Sequence, residues 1–295
     1  MPKPAAQIHG DSLYRFTFEA FGVRGEVVTL AASWRAVVER HDYGDAISAY
    51  LGQALAATTL LSGTIKFSGS LILQLQGDGP LRTLVAQATD RRMIRGMAHS
   101  EGDVPAGDIA AAIGQGRLVL TASAPNGERY QGIVELEGTR LSRVIEKYFD
   151  QSEQLPSRLW LAADKDIAAG LLLQRLPGGD FDEEDWRRVC ILADTLNDDE
   201  LLSTSPELLL RRLFHEEDVR LFEPEPVAFR CSCSRERVAD TLRSLGRAEL
   251  DDILAEQGAI ETHCEFCNAH YRFDSIDVAS LFSPAPIAEP PDVTQ

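Results

Sequence analysis

Hydrophobic and polar positions alternate along Leu13-Tyr-Arg-Phe-Thr-Phe18, the two-residue period of a strand with one face on a core. Val23-Arg-Gly-Glu-Val-Val-Thr-Leu30 predicts a second strand. The period then lengthens. Trp34, Val37 and Val38 share a helical face with Ser33 placed to cap it. Residues 46–61 are rich in Ala and Leu and set Leu51, Leu55, Thr58 and Leu61 on one stripe. Strands dominate beyond that helix. Residues 70–76 alternate and run into the loop signal Gly77-Asp-Gly-Pro80. Residues 117–122 and 130–136 flank Pro125-Asn-Gly127, whose Asn-Gly step favours a tight hairpin. A helix at 141–151 and strands at 158–162 and 168–176 complete the region. Runs of strands with few intervening helices predict an α+β fold rather than a doubly wound sheet. The first domain is placed at residues 1–179, ending at Leu176-Pro-Gly-Gly179.

The pattern changes after Gly179. Between Asp180 and Pro226 there are 15 acidic and 5 basic residues, a net charge of −10. Apolar residues persist at helical spacing, as Trp186, Val189, Cys190, Ala193 and Leu196, and again as Leu208, Leu209, Leu210 and Phe214. Helices carrying that much like charge depend on docking against a neighbour, so residues 180–226 read as an acidic helical linker. Glu223-Pro-Glu-Pro226 reads as a stiff hinge. A small module is placed at 227–282, with Ser234 capping a helix through Val238, Leu242 and Leu245 and a short second helix at 249–255. The proline-rich tail, 283–295, reads as disordered.

Composition narrows the function. No apolar run reaches the ~18 residues of a membrane span, and the first residues lack the apolar core of a secretory signal; the expectation is a cytoplasmic protein without membrane partners. The net charge is −17, from 29 Lys and Arg against 46 Asp and Glu. Binding to a phosphate backbone draws its affinity from Lys and Arg, so nucleic acid is disfavoured as a partner. Gly77-Asp-Gly79 lacks the Lys and Ser/Thr of a phosphate loop, and neither Gly-x-Ser-x-Gly nor His-Glu-x-x-His occurs. An enzyme reading has no constellation to rest on.

The candidate chemistry is in the cysteines. Four of the five lie in the C-terminal module, as Cys231-Ser-Cys233 and Cys264-Glu-Phe-Cys267, with thirty residues between the pairs. Two close pairs of soft sulfur ligands on separate loops are the donor set of a tetrahedral zinc site, one ion per chain. In a reducing compartment clustered thiols point to metal or redox chemistry rather than structural disulfides. Two readings stay open: a closed structural zinc site, or a switch. In Cys-x-Cys and Cys-x-x-Cys each partner lies within disulfide reach, and bound thiolates are the form oxidants attack. Cys190 sits on an apolar helix face and reads as core; His263 and His270 bracket the second pair but are not needed beside four thiols.

The combination resembles the redox-regulated bacterial holdase chaperones of the 33 kDa heat-shock protein (33 kDa chaperonin) family. The resemblance spans roughly residues 14–278. It is carried by Cys231-Ser-Cys-Ser-Arg-Glu-Arg237, Cys264-Glu-Phe-Cys267 with Tyr271-Arg-Phe273, Phe214-His-Glu-Glu217, Phe21-Gly-Val-Arg-Gly-Glu26, Leu73-Gln-Leu-Gln-Gly-Asp-Gly-Pro80 and Tyr148-Phe-Asp-Gln-Ser-Glu-Gln-Leu-Pro156. One departure is a short loop at 162–167. The resemblance implies an ATP-independent chaperone for unfolding client proteins, inactive while reduced and zinc-bound. Oxidation would pair Cys231 with Cys233 and Cys264 with Cys267, release zinc, unfold the linker and accompany formation of a homodimer. The competing classes are a thiol–disulfide oxidoreductase using Cys264 and Cys267, and an acidic zinc-ribbon adaptor.

Overall fold

The computed structural model describes residues 10–64, 68–177 and 183–282. The boundary expected at 179/180 and the tail 283–295 lie outside them. The chain forms two compact units that divide between Arg230 and Cys231, and the fold is α+β.

The first unit begins with a meander of β1 (Ser12–Phe18) and β2 (Val23–Leu30), then α1 (Ala32–Val38) and the long α2 (Asp45–Thr64). Strands β3 (Ser70–Gly77), β4 (Leu81–Thr89) and β5 (Met93–Ser100) follow. After α3 (Ile109–Ile113) come β6 (Gly116–Ser123), β7 (Arg129–Glu135), α4 (Leu141–Tyr148), β8 (Ser157–Ala163) and β9 (Ala168–Arg175). The acidic segment supplies α5 (Glu183–Ala193), α6 (Asp198–Ser203) and α7 (Pro206–Leu213), then short strands β10 (Val219–Leu221), β11 (Glu225–Pro226) and β12 (Ala228–Phe229).

These strands make two sheets. One runs β10-β1-β2-β9-β8, with β11 also on β1; the other runs β12-β5-β4-β3-β6-β7. Helix α2 fills the space between them: Leu51, Leu55, Leu60 and Leu61 share one core with Leu13 and Leu172 of the first sheet and Leu73, Leu75 and Leu84 of the second. An Ala- and Gly-containing helix suits that position, because a Cβ on Gly52 would lie 2.5 Å from that of Ala163. The outer face of the first sheet carries a second core. Phe16, Phe18, Val27, Leu171 and Leu173 meet Val189, Ala193, Leu201, Leu209, Leu213 and Phe214 of the acidic segment.

Several local details depart from the sequence reading. Ser33 does not cap α1. It lies inside the first turn, where its N–H and Oγ both donate to the Asp11 carboxylate at 2.9 Å, so that a residue distant in sequence performs the capping. The helix expected at 141–151 ends at Tyr148 and passes into a π-type turn, Phe149–Glu153, closed by Gln154 at φ 53°. The Pro125-Asn-Gly127 turn is a five-residue connection, since Ser123 pairs with Arg129. Glu223 to Pro226 is no free hinge. Leu13 and Ser12 pair with Glu225 and Pro226, and Ala228 and Phe229 add to β5, which carries the chain from one sheet to the other.

In the second unit α8 (Arg235–Leu245) and α9 (Arg247–Gln257) precede a hairpin of β13 (Ile260–His263) and β14 (His270–Phe273), and α10 (Ser275–Leu281) closes it. Its core holds six buried residues: Ala239, Leu242, Leu250, Ile260, Phe273 and Val278. A core that small supplies little folding energy by itself.

Candidate metal centre

Two local structures present the sulfurs. Cys231 and Cys233 lie on the extended stretch before α8, which starts at once because the Ser234 Oγ accepts from the Arg237 N–H at 3.3 Å. Cys264 and Cys267 occupy the turn between β13 and β14. The Cys264 N–H donates to the Ala269 carbonyl at 3.0 Å, and the Asn268 N–H donates to the Cys264 carbonyl at 2.7 Å. Asn268 takes φ 54°, a left-handed conformation that asparagine tolerates better than most residues. Arg235 braces the two parts: it donates to the Arg272 carbonyl at 2.8 Å, pairs with Asp277 at 2.8 Å and lies 4.2 Å above the Phe273 ring.

The four sulfurs lie within 4.8 Å of one another. The nearest approaches cross the motifs: Cys231 Sγ is 3.6 Å from Cys264 Sγ, and Cys233 Sγ is 3.3 Å from Cys267 Sγ. A tetrahedral zinc with bonds of about 2.3 Å has sulfur–sulfur edges of about 3.8 Å. The donor set and its spacing therefore fit that ion. All four side chains are half-buried, so the cluster is shielded yet reachable by a small oxidant.

The acidities of the thiols diverge. Burial opposes ionisation of Cys231, but hydrogen bonds from the Cys233 N–H and the neighbouring thiols outweigh it and bring the group down to about 7. Burial, followed by the adjoining sulfurs, pushes Cys267 up to about 12, and burial raises Cys264 as well. Tyr271 is held up at about 12, chiefly by its hydrogen bond to Cys233. Without a cation the cluster favours one thiolate supported by its neighbours. A divalent ion removes the like-charge penalty and stabilises all four thiolates.

The other singled-out residues fall elsewhere. Cys190 is buried on α5, and burial pushes its thiol up to about 12. His263 and His270 sit opposite each other at the turn end of the hairpin, next to the cysteine turn, with ring centroids 6.0 Å apart, but they are not among the clustered ligand atoms. The bracing role of Arg235 is not legible in the sequence, because its partners lie 37 or more residues away. Among the described residues no helix is long and apolar enough to cross a membrane.

Comparison with known proteins agrees with this arrangement. Residues 11–274 match the family model described as Hsp33 protein. The chain is 56% identical over 273 residues to the 33 kDa chaperonin of Nitrosococcus oceani, covering 92% of this chain and 94% of that one. It is 44% identical over 285 residues to the 33 kDa chaperonin of Cronobacter sakazakii, covering 95% and 98%. The crystal structure of the 33 kDa chaperonin from Thermotoga maritima superposes with a TM-score of 0.82 at 26% identity, covering 92% of this chain and 98% of that one. With its sulfur cluster, its two-sheet sandwich and this near full-length similarity, the chain belongs to the Hsp33 chaperone family.

Proposed function

We propose that this protein is a redox-regulated, ATP-independent holdase of the cytoplasm, inactive when reduced and zinc-bound. The observation that carries the reading is four thiols within 4.8 Å of one another in a unit whose own core is six residues. Cys231, Cys233, Cys264 and Cys267 would hold one zinc. Bound zinc supplies cross-linking between the two cysteine loops, and for so small a module binding energy is folding energy, on the order of 10–16 kcal/mol in zinc-finger peptides.

Oxidation acts on the protein's own sulfurs. Each zinc-bound pair of thiolates loses two electrons and gains one S–S bond, while one peroxide takes up those electrons with two protons from solvent and leaves as two waters. Within-motif pairing, Cys231 with Cys233 and Cys264 with Cys267, is what the family resemblance implies; from the observed positions it requires side-chain rotation, since the closest sulfurs belong to different motifs. The loops then lose their common anchor, and the second unit unfolds.

The acidic segment connects this event to the chaperone surface. Its helices cover Phe16, Phe18, Leu171 and Leu173 on the first sheet. Releasing them exposes a contiguous apolar face suited to unfolding clients and to a second activated copy in a homodimer.

The test compares reduced, metal-loaded protein with peroxide-treated protein in an aggregation assay of an unfolding client without nucleotide. The expected result is suppression by the oxidised form alone, together with one zinc per reduced chain and the two within-motif disulfides on peptide mapping. Equal protection by both forms would refute the switch. Catalytic turnover of a dithiol substrate would favour an oxidoreductase, and inactivity of both forms an adaptor.

A further inference from the structure

The Arg24-Gly-Glu26 part of the Phe21–Glu26 motif has no place in the sulfur chemistry, and its surroundings are unusual. Glu26 is 2% exposed, and its Oε2 has no hydrogen-bond partner. The carboxyl lies against the last turn of α2, where a Cβ on Gly63 would fall 2.3 Å from Oε2. Arg92, 7% exposed, reaches the same turn, with Nη1 donating to Ser62 Oγ at 3.0 Å. Its Nε donates to Glu225 Oε2 at 2.9 Å.

Glu225 is therefore the competitor of Glu26. Its other oxygen pairs with Arg15, which lies beside Glu26 in the β1–β2 register. The grip on Arg92 is also through the backbone, because the Ala228 N–H donates to the Arg92 carbonyl at 3.1 Å. Arg92 holds φ 56°, a strained conformation for a non-glycine residue that these contacts over-determine. Among the described residues, the charged groups that act on Glu26 are Arg92 from the β4–β5 turn, Arg24 from β2, Arg15 from β1 and Glu225 from β11.

We propose that Glu225 clasps the end of the acidic segment to Arg15 and Arg92, and that opening this clasp turns the two arginines to Glu26, which then releases its proton to solvent. Docking of the segment is thereby coupled to one proton. In the docked state burial raises Glu26 to about 8, against the pull of Arg92, Arg24 and Arg15. In the undocked state Glu225 is gone and the arginines are free, so Glu26 returns toward the ordinary carboxylate range. The docked form binds the extra proton. Docking is therefore at full strength below the undocked value, weakens as pH rises toward about 8, and is level above it.

The inference rests on the reading that residues 183–229 undock, but its test needs neither client nor oxidant, so its failure would leave that reading standing. In reduced, zinc-loaded full-length protein, amide exchange is followed at Val227, Ala228 and Arg230, whose N–H groups donate to Asp11, Arg92 and Ile94. After division by intrinsic rates, protection should fall up to about tenfold per pH unit between roughly pH 6 and 8 and then flatten. Glu26→Gln should abolish the pH dependence, and Glu225→Gln should lower protection at neutral pH. Protection that is flat with pH in the unaltered protein, or a slope retained in Glu26→Gln, would overturn the proposal. Should Glu26→Gln fail to fold, unchanged protection in Glu225→Gln would overturn it equally.

Discussion

Replacing Phe214 by alanine tests whether the acidic segment is the cover of the client surface. Phe214 follows α7 and is 2% exposed. Its ring packs edge-on to Phe18 at 5.0 Å and tilted against Phe16 at 6.2 Å. Truncating a buried Phe costs about 3–5 kcal/mol, from lost transfer energy and the cavity left behind. At 1.4 kcal/mol per tenfold, that is a shift of about two to three and a half powers of ten. All of its aromatic partners lie across the segment's interface with the first sheet, so the cost falls on docking rather than on the α2 sandwich. The reduced variant should therefore suppress client aggregation without oxidant. Its α5–α7 amides should lose protection while those of β3, β4 and β6 keep theirs. A variant with undocked helices and no client protection would refute the assignment of that face; loss of protection throughout β3–β6 would refute its energetic independence.

Other outcomes follow from single residues. Cys190→Ser should leave zinc content and oxidative activation unchanged, and Cys190 should resist iodoacetamide at pH 8 in the folded protein, because burial holds its thiol at about 12; mass mapping after brief alkylation checks both. Ser234→Ala removes the α8 cap, worth about 1 kcal/mol, and since metal binding and folding are one event in this unit, competitive chelation should read a zinc affinity about fivefold weaker. Gly25→Ala should lower the melting temperature, since its Cβ would fall 2.1 Å from the Phe16 ring, and overpacking of this kind costs about 1–3 kcal/mol.

What could be read in the chain divides by range. The sulfur cluster was legible because each half is local: a pair of cysteines within two or three positions needs only a turn to present them, and thirty residues suffice to bring the halves together. Strands β1 and β2 and helix α2 were legible from their periods. The strand read at 168–176 lacks alternation, and the reason is visible in the fold: Ala168 and Leu172 face α2, while Ala169, Leu171 and Leu173 face the acidic segment. A strand covered on both sides loses its alternation, and nothing local says what the second cover is. The same limit hid the Asp11 cap of α1 and the passage of Glu225 to Phe229 between the sheets, since each depends on partners far along the chain.

The charge of the acidic segment gains a physical meaning from this placement. Eight of its apolar residues, Val189, Ala193, Leu196, Leu201, Leu209, Leu210, Leu213 and Phe214, are buried on the first sheet, which would make for firm docking were the helices neutral. Fifteen carboxylates on the same stretch oppose it. Some are matched by cations, as Glu184 is by Arg187 at 3.4 Å, but such exposed pairs contribute little, typically about 0–1 kcal/mol. The apolar face thus drives docking and the charge limits it. A cover built this way is held by a small difference between large terms, so on the proposed switch the loss of one anchor would be enough to release it. Neutralising substitutions on the solvent side of α5 and α6 should accordingly tighten docking and raise the oxidant dose needed for activation.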